Sequence, residues 1–170
     1  MPVIAPTKKF SYYRKLNVTN KRIYDRSDSL SCVNIPAVSM FAGEVGSLKA
    51  ALESGSAQAT QFGAQRLMSW LCQSLHVPPV SVRVLETRPS RRWGELHGLY
   101  SQQRGRRPLI TVWMRTAKRG DIVAFKSFLR TMIHELIHHL DYTLFRLSDS
   151  FHTQGFFNRE SSIVNALLAE

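Results

Sequence analysis

Cysteine is nearly missing from this chain. Cys32 and Cys72 are the only two in 170 residues, too few for a disulfide framework or a four-thiolate zinc ribbon. Both read as free thiols, and the expected setting is a reducing cytoplasm. No apolar run approaches the roughly 20 residues that a membrane-crossing helix needs, so no membrane partner is expected. The opening MPVIAPTKKFSYYRK has no apolar core, so no cleaved leader is expected either. Internal repeats and low-complexity tracts are lacking. Together these absences exclude a collagen, a coiled coil, a membrane protein and a disulfide-stapled secreted mini-domain.

Acidic residues are also scarce, 12 against 23 Lys and Arg, for a net charge of +11. The excess is uneven. Residues 1–30 carry seven Lys/Arg against two Asp, and residues 83–119 carry ten against two Glu, while the remainder is slightly acidic. Such clustering is the footprint of a chain that visits a polyanion, most often nucleic acid, although a solvated basic surface produces the same count. Phe10, Tyr12, Tyr13 and Tyr24 alternate with cations in the first stretch, a pattern that suits base stacking and equally suits docking onto a folded domain.

With 44% hydrophobic residues the chain can build one core without a staple. Residues 1–40 are basic and without periodicity, and read as a flexible arm; residues 41–170 read as the folded domain. Residues 57–75 have helical spacing, with Phe62, Leu67, Leu71 and Leu75 on one stripe and Met68 and Trp70 widening it. Pro78 and Pro79 follow and end it. Strand-like stretches cover residues 80–86, 93–100 and 109–116, separated by arginine-rich turns. Asp121 is a plausible cap for a long helix reaching about residue 145, and a last helix covers about 155–168. The expected fold class is α+β: helix, three-stranded sheet, long helix, loop, helix.

The long helix contains His134-Glu135-Leu136-Ile137-His138. Histidines four apart share a helix face and can hold one metal ion, and imidazole at this spacing suits Zn²⁺. Glu135, beside the first ligand, is placed to act as a general base. The register arises by chance roughly 1% of the time in a chain of this composition, so its surroundings decide. Phe125, Leu129, Met132, Ile133, Leu136, Ile137, Leu140 and Leu144 share one arc; Ser127, Thr131, His134, His138 and Asp141 share the other, where an ordinary surface helix would carry Lys and Glu. A catalytic zinc needs a third protein ligand and one open position. His152, Glu160 and Asp141 are the candidates, with His152 foremost and Asp141 better suited to orienting a ligand histidine. His139 is rotated off the ligand face, and His76 and His97 read as ordinary histidines.

This order of elements, with HExxH followed by a further histidine near a glycine and an aromatic, resembles the zincin metallopeptidases. It is most similar to the SprT-like (Spartan-like) group, with His134, Glu135, His138 and His152 matching in turn and Gly155 and Phe156 as the neighbouring pair. It is a divergent match: glycine here follows the third histidine by three residues instead of one, and no cysteine ribbon follows. The resemblance implies a zinc peptidase with Glu135 as general base, a protein or peptide substrate, and residues 109–116 as the open sheet edge that receives it. Tyr100 or Tyr142 would assist at the carbonyl oxygen. Arg91, Arg92, Arg104, Arg106, Arg107 and the N-terminal arm would bring nucleic-acid-bound substrates to the cleft. The alternative is a nucleic-acid-binding protein with a structural or vestigial zinc site.

Overall fold

The computed structural model describes residues 7–169. The basic N-terminal stretch is helical: after a 3-10 turn at Ser11–Lys15, helix α1 spans Val18–Ser29, capped by Asn17, whose side chain accepts from Asn20 N at 2.8 Å. The flexible arm expected at residues 1–40 is therefore corrected for its described part; residues 1–6 lie outside it. The aromatics of this stretch dock. Tyr24 is fully buried, Tyr12 and Tyr13 pack edge-on against it, and Phe10 meets Phe157 at 6.1 Å. Helical periodicity missed α1 because it buries one aromatic and two polar residues, Tyr24, Ser27 and Asp28, not an apolar stripe.

A second 3-10 turn, Val38–Phe41, leads into α2 (Ala42–Glu53), which buries Val45, Leu48 and Leu52. Helix α3 (Ala57–Ser74) starts at a Ser56 cap and packs on α2 and the sheet. Its buried face is Thr60, Ala64, Leu67, Met68, Leu71 and Cys72. Phe62, expected on that stripe, is instead 68% exposed. The helix is rotated because Gln61 and Gln65 face the strand that follows. Gln65 accepts from Val82 N at 2.8 Å and donates to Val80 O at 3.1 Å; Gln61 accepts from Val84 N at 2.7 Å and donates to Val82 O at 2.8 Å. Two glutamine amides thus serve as the missing neighbour of an edge strand.

That strand is β1 (Ser81–Thr87). The stretch expected as one strand at 93–100 is divided. A hairpin of β2 (Ser90–Arg91) and β3 (Gly94–Glu95) puts Trp93 into solvent at its turn, and β4 (Gly98–Ser101) begins afresh at Gly98. Strand β5 (Leu109–Arg115) is apolar at most positions and buried at every position from Ile110 to Met114, the mark of a strand covered on both faces. It is the central strand. The order is β1-β5-β4, with β1 parallel to β5 (Val82 opposite Ile110) and β4 antiparallel to it (Tyr100 opposite Ile110). The open edge is therefore β4, not residues 109–116 as the resemblance implied.

Helix α4 spans Phe125–Thr143 and α5 spans Gln154–Leu168. Asp121 does not cap α4. Residues 116–123 fold back along β5, with Ile122 bridging Arg115 and Val123 N bonding Met114 O at 2.8 Å, which delays the helix to Phe125. The architecture of the described residues is α+β, five α-helices about a three-stranded mixed sheet, with the core between α2, α3, α4, α5 and the sheet. No helix among the described residues is long and apolar enough to cross a membrane. Cys32 is exposed and Cys72 buried, both free.

The largest fully buried side chain is a cation. Arg159 of α5 donates to Asp141 Oδ1 of α4 at 2.8 Å and to Ser27 O and Leu30 O at the end of α1 at 2.6 Å each. Both partners of the ion pair have no exposed side-chain surface. Removing one charge strands the other. Arg159→Met should cost about 3–5 kcal/mol in urea unfolding, well above the ±0.5 kcal/mol or so of an ordinary surface change.

Candidate metal centre

Helix α4 stacks His134 and His138 one turn apart, with ring centroids 5.2 Å from each other. The segment between α4 and α5 brings His152 against both: His152 Nε2 lies 3.1 Å from His134 Nε2 and 3.2 Å from His138 Nε2. The outer ring nitrogens explain the tautomers. His134 Nδ1 donates to Glu160 Oε2 at 2.8 Å. His138 Nδ1 donates to Ser150 Oγ at 2.7 Å, because the Ser150 hydroxyl proton is itself given to Asp141 Oδ2 at 2.8 Å. With Nδ1 protonated, both Nε2 atoms present bare lone pairs inward. Lone pairs aimed at one point repel unless a proton on the third ring or a metal cation lies between them. Three nitrogens bound at about 2.0–2.1 Å to one tetrahedral zinc stand about 3.3–3.4 Å apart, close to the spacings here. The donor set fits Zn²⁺.

Burial favours the same state. It pushes the His138 ring down to about 3, with His134 and His152 adding to the effect, and lowers His152 as well. Neutral imidazole is the form a metal binds. Phe156, fully buried, forms the floor: its ring centroid is 4.9, 4.8 and 4.9 Å from those of His134, His138 and His152.

Glu135 is buried between α4 and β4. A methyl group on Gly98 would stand 2.8 Å from Glu135 Oε1 and 2.7 Å from Thr131 Cγ2, so only glycine lets β4 run this close. Burial raises the Glu135 carboxyl to about 7, against the opposing pull of His134 and the Tyr100 backbone. A carboxylate poised near neutrality suits proton transfer at physiological pH. The adjoining cavity, about 490 Å³, is lined by His97, Gly98, Arg130, Thr131, His134, Glu135 and Phe157 among others.

The structure therefore brings together His134, Glu135, His138 and His152. Glu160 is not in the ligand position. It bonds the outer nitrogen of His134 and pairs with Arg130 at 2.7 Å; burial works to raise its carboxyl, but these partners outweigh burial and hold it below the usual range. Asp141 orients His138, a candidate ligand, through Ser150. His139 is structural, donating to Pro78 O at 2.8 Å and meeting the Tyr100 hydroxyl at 3.1 Å. That hydroxyl is thus engaged, and Tyr142 donates to Asp149; neither tyrosine lines the cavity. His97 does, contrary to its reading as an ordinary histidine. Phe156 entered the sequence reading only as the aromatic of the motif's neighbouring pair, and Ser150, Gly98 and Arg130 were not recognised as site residues from sequence; the small residue between Asp149 and Phe151 and the glycine opening β4 were the signals available.

Arg91, Arg92, Arg104, Arg106 and Arg107 are all exposed. The first two sit in the hairpin before β4 and the others in the turn after it, so the charges bracket the strand that walls the cleft. Arg106 and Arg107 join Arg83 around a second hollow of about 450 Å³. Among known proteins, no family model, no curated protein and no solved structure matches the chain.

Proposed function

We propose that this chain is a zinc-dependent metallopeptidase of the SprT-like kind, acting on proteins associated with nucleic acid. One observation carries the reading: three Nε2 atoms converge beside a buried carboxyl raised to about 7, in a cleft walled by an unpaired strand edge. Zinc held by His134, His138 and His152 supplies a Lewis acid that acidifies water and polarises a carbonyl. Glu135 accepts the proton of the attacking water and passes it to the departing amine nitrogen. The outer edge of β4 offers main-chain groups to an extended peptide, which makes recognition largely independent of side chains. His97, which lines the cavity where Tyr100 and Tyr142 do not, is the candidate donor to a substrate carbonyl; burial and Arg88 lower its pKa, which favours the neutral ring with one N–H to give.

Protein purified without added metal should contain about one zinc per chain by elemental analysis. Glu135→Gln should keep that zinc and the fold while hydrolysis of an unstructured protein falls roughly 100- to 10,000-fold. Zinc-loaded protein whose peptidase activity is untouched by this change removes Glu135 as the base. Zinc-loaded wild type that cleaves nothing but binds single-stranded DNA or RNA favours the alternative, a nucleic-acid-binding protein with a structural or vestigial site, for which the bracketing arginines speak.

The charge pattern makes its own demand. Affinity for single-stranded DNA should drop at least tenfold between about 50 and 200 mM salt, as phosphate contacts release counterions. Arg104→Ala with Arg106→Ala and Arg107→Ala should flatten that slope. Salt-independent binding removes the nucleic-acid part of the proposal and leaves the peptidase part standing.

A further inference from the structure

His152 is the one candidate ligand that no helix holds. It is exposed, and it lies in residues 144–153, which link α4 to α5 without regular structure. His134 and His138 each have an outer nitrogen anchored by Glu160 or Ser150. The polar contacts of His152 are those of its Nε2 with the other two rings and that of its backbone carbonyl, which accepts from Tyr12. Its ring is therefore placed by whatever fixes that backbone.

The N-terminal stretch fixes it at successive points. Arg26 Nη2 donates to Phe145 O at 3.2 Å, and the Tyr12 hydroxyl donates to His152 O at 2.5 Å. Ser27 Oγ meets Thr153 Oγ1 at 3.2 Å, and Asp28 Oδ1 accepts from Gly155 N at 3.1 Å. There is no slack in this contact, since a methyl group on Gly155 would stand 2.5 Å from Ser27 O and 2.6 Å from Asp28 O. Tyr24 and Phe10 add ring contacts to Phe151 and Phe157, on either side of the ligand.

We propose that residues 10–28 are a positioning clamp for the third metal ligand, with Tyr12 and Asp28 holding the backbone of His152 and Gly155 and Ser27 the side chain of Thr153 between them, so that His152 meets His134 and His138. This rests on the metal-centre reading above. A side chain on a loop keeps its rotamer freedom, and ordering it at the moment of metal binding weakens affinity. A clamp sets that order in advance, so its loss should appear in metal affinity before it appears in the fold.

The test uses the full chain with Zn²⁺ and Co²⁺ as probes. Tyr12→Phe keeps the ring packed on Phe10 and Tyr24 and removes only the hydroxyl that reaches His152. Zinc affinity, measured by competition with a chromophoric chelator, should fall about 2- to 10-fold, the worth of one hydrogen bond. Adding Ser27→Ala should bring the loss to about 10- to 100-fold, the usual effect of removing outer supports of a ligand. The visible cobalt bands should weaken as four-coordinate geometry loosens, with circular dichroism showing both variants folded. Val45→Ala, on α2, should lower the melting temperature yet leave zinc affinity and the cobalt spectrum unchanged. Wild-type affinity and spectrum in both clamp variants overturn the proposal, as does an equal loss of affinity in Val45→Ala. Wild-type protein that binds neither metal overturns the metal-centre reading itself, and the clamp with it.

Discussion

The buried pair of Arg159 and Asp141 is the constraint on which the rest of the molecule hangs. A guanidinium and a carboxylate without exposed surface are tolerable only when they are paired with each other and further hydrogen-bonded. Arg159, on α5, draws its partners from two other helices: Asp141 on α4, and the carbonyls at the end of α1, a helix end where backbone acceptors run short of donors. Asp141 has one oxygen on Arg159 and the other on Ser150, and Ser150 sets the tautomer of His138. One ionic contact therefore fixes the α4–α5 crossing, the docking of α1 and the direction in which a ligand nitrogen points.

This explains what was readable in the sequence and what was not. Helices α3 and α4 and strands β1 and β5 announce themselves through apolar spacing, since each buries a continuous face. The pair of histidines and Glu135 follow from a helix register and need no tertiary information. Helix α1 gave no such signal, because its attachment is made by Tyr24, Ser27 and Asp28 and is decided by an arginine about 130 residues away in sequence. The polarity that made this stretch look like a free arm is, in its described residues 7–40, the chemistry of their docking. Likewise β4 was read as part of a longer strand, for nothing local says that Gly98 must pass close to Glu135. Glu160 and Asp141 were weighed as ligands because spacing limits reach but does not reveal which nitrogen of a histidine a carboxylate will meet.

The carboxylates around the centre divide by environment. Glu160, tied to Arg130 and to His134, remains ionised and balances charge behind the first ligand. Glu135, deep beneath β4 without a cationic side chain bonded to it, is raised toward neutrality. Two glutamates on adjoining helices thus have opposed tendencies, the separation expected where one group stabilises charge and the other moves protons.

The two edges of the sheet are treated unequally, and the inequality bears on function. An unpaired strand edge invites association with other chains, and folded proteins cover or blunt such edges. The β1 edge is covered, at the expense of orienting two glutamine side chains of α3 along its backbone. On the other side, no strand among the described residues pairs with the outer edge of β4. That edge is only four residues long, lies against Glu135 through Gly98, and is bracketed by exposed arginines that discourage stacking of one copy on another. A short, charged-flanked edge left open beside a buried carboxyl is a poor template for aggregation and a good one for a single extended segment. The open strand edge and the histidine cluster therefore lie on the same face of the molecule, which is why the proposed substrate is an extended peptide, not a phosphodiester.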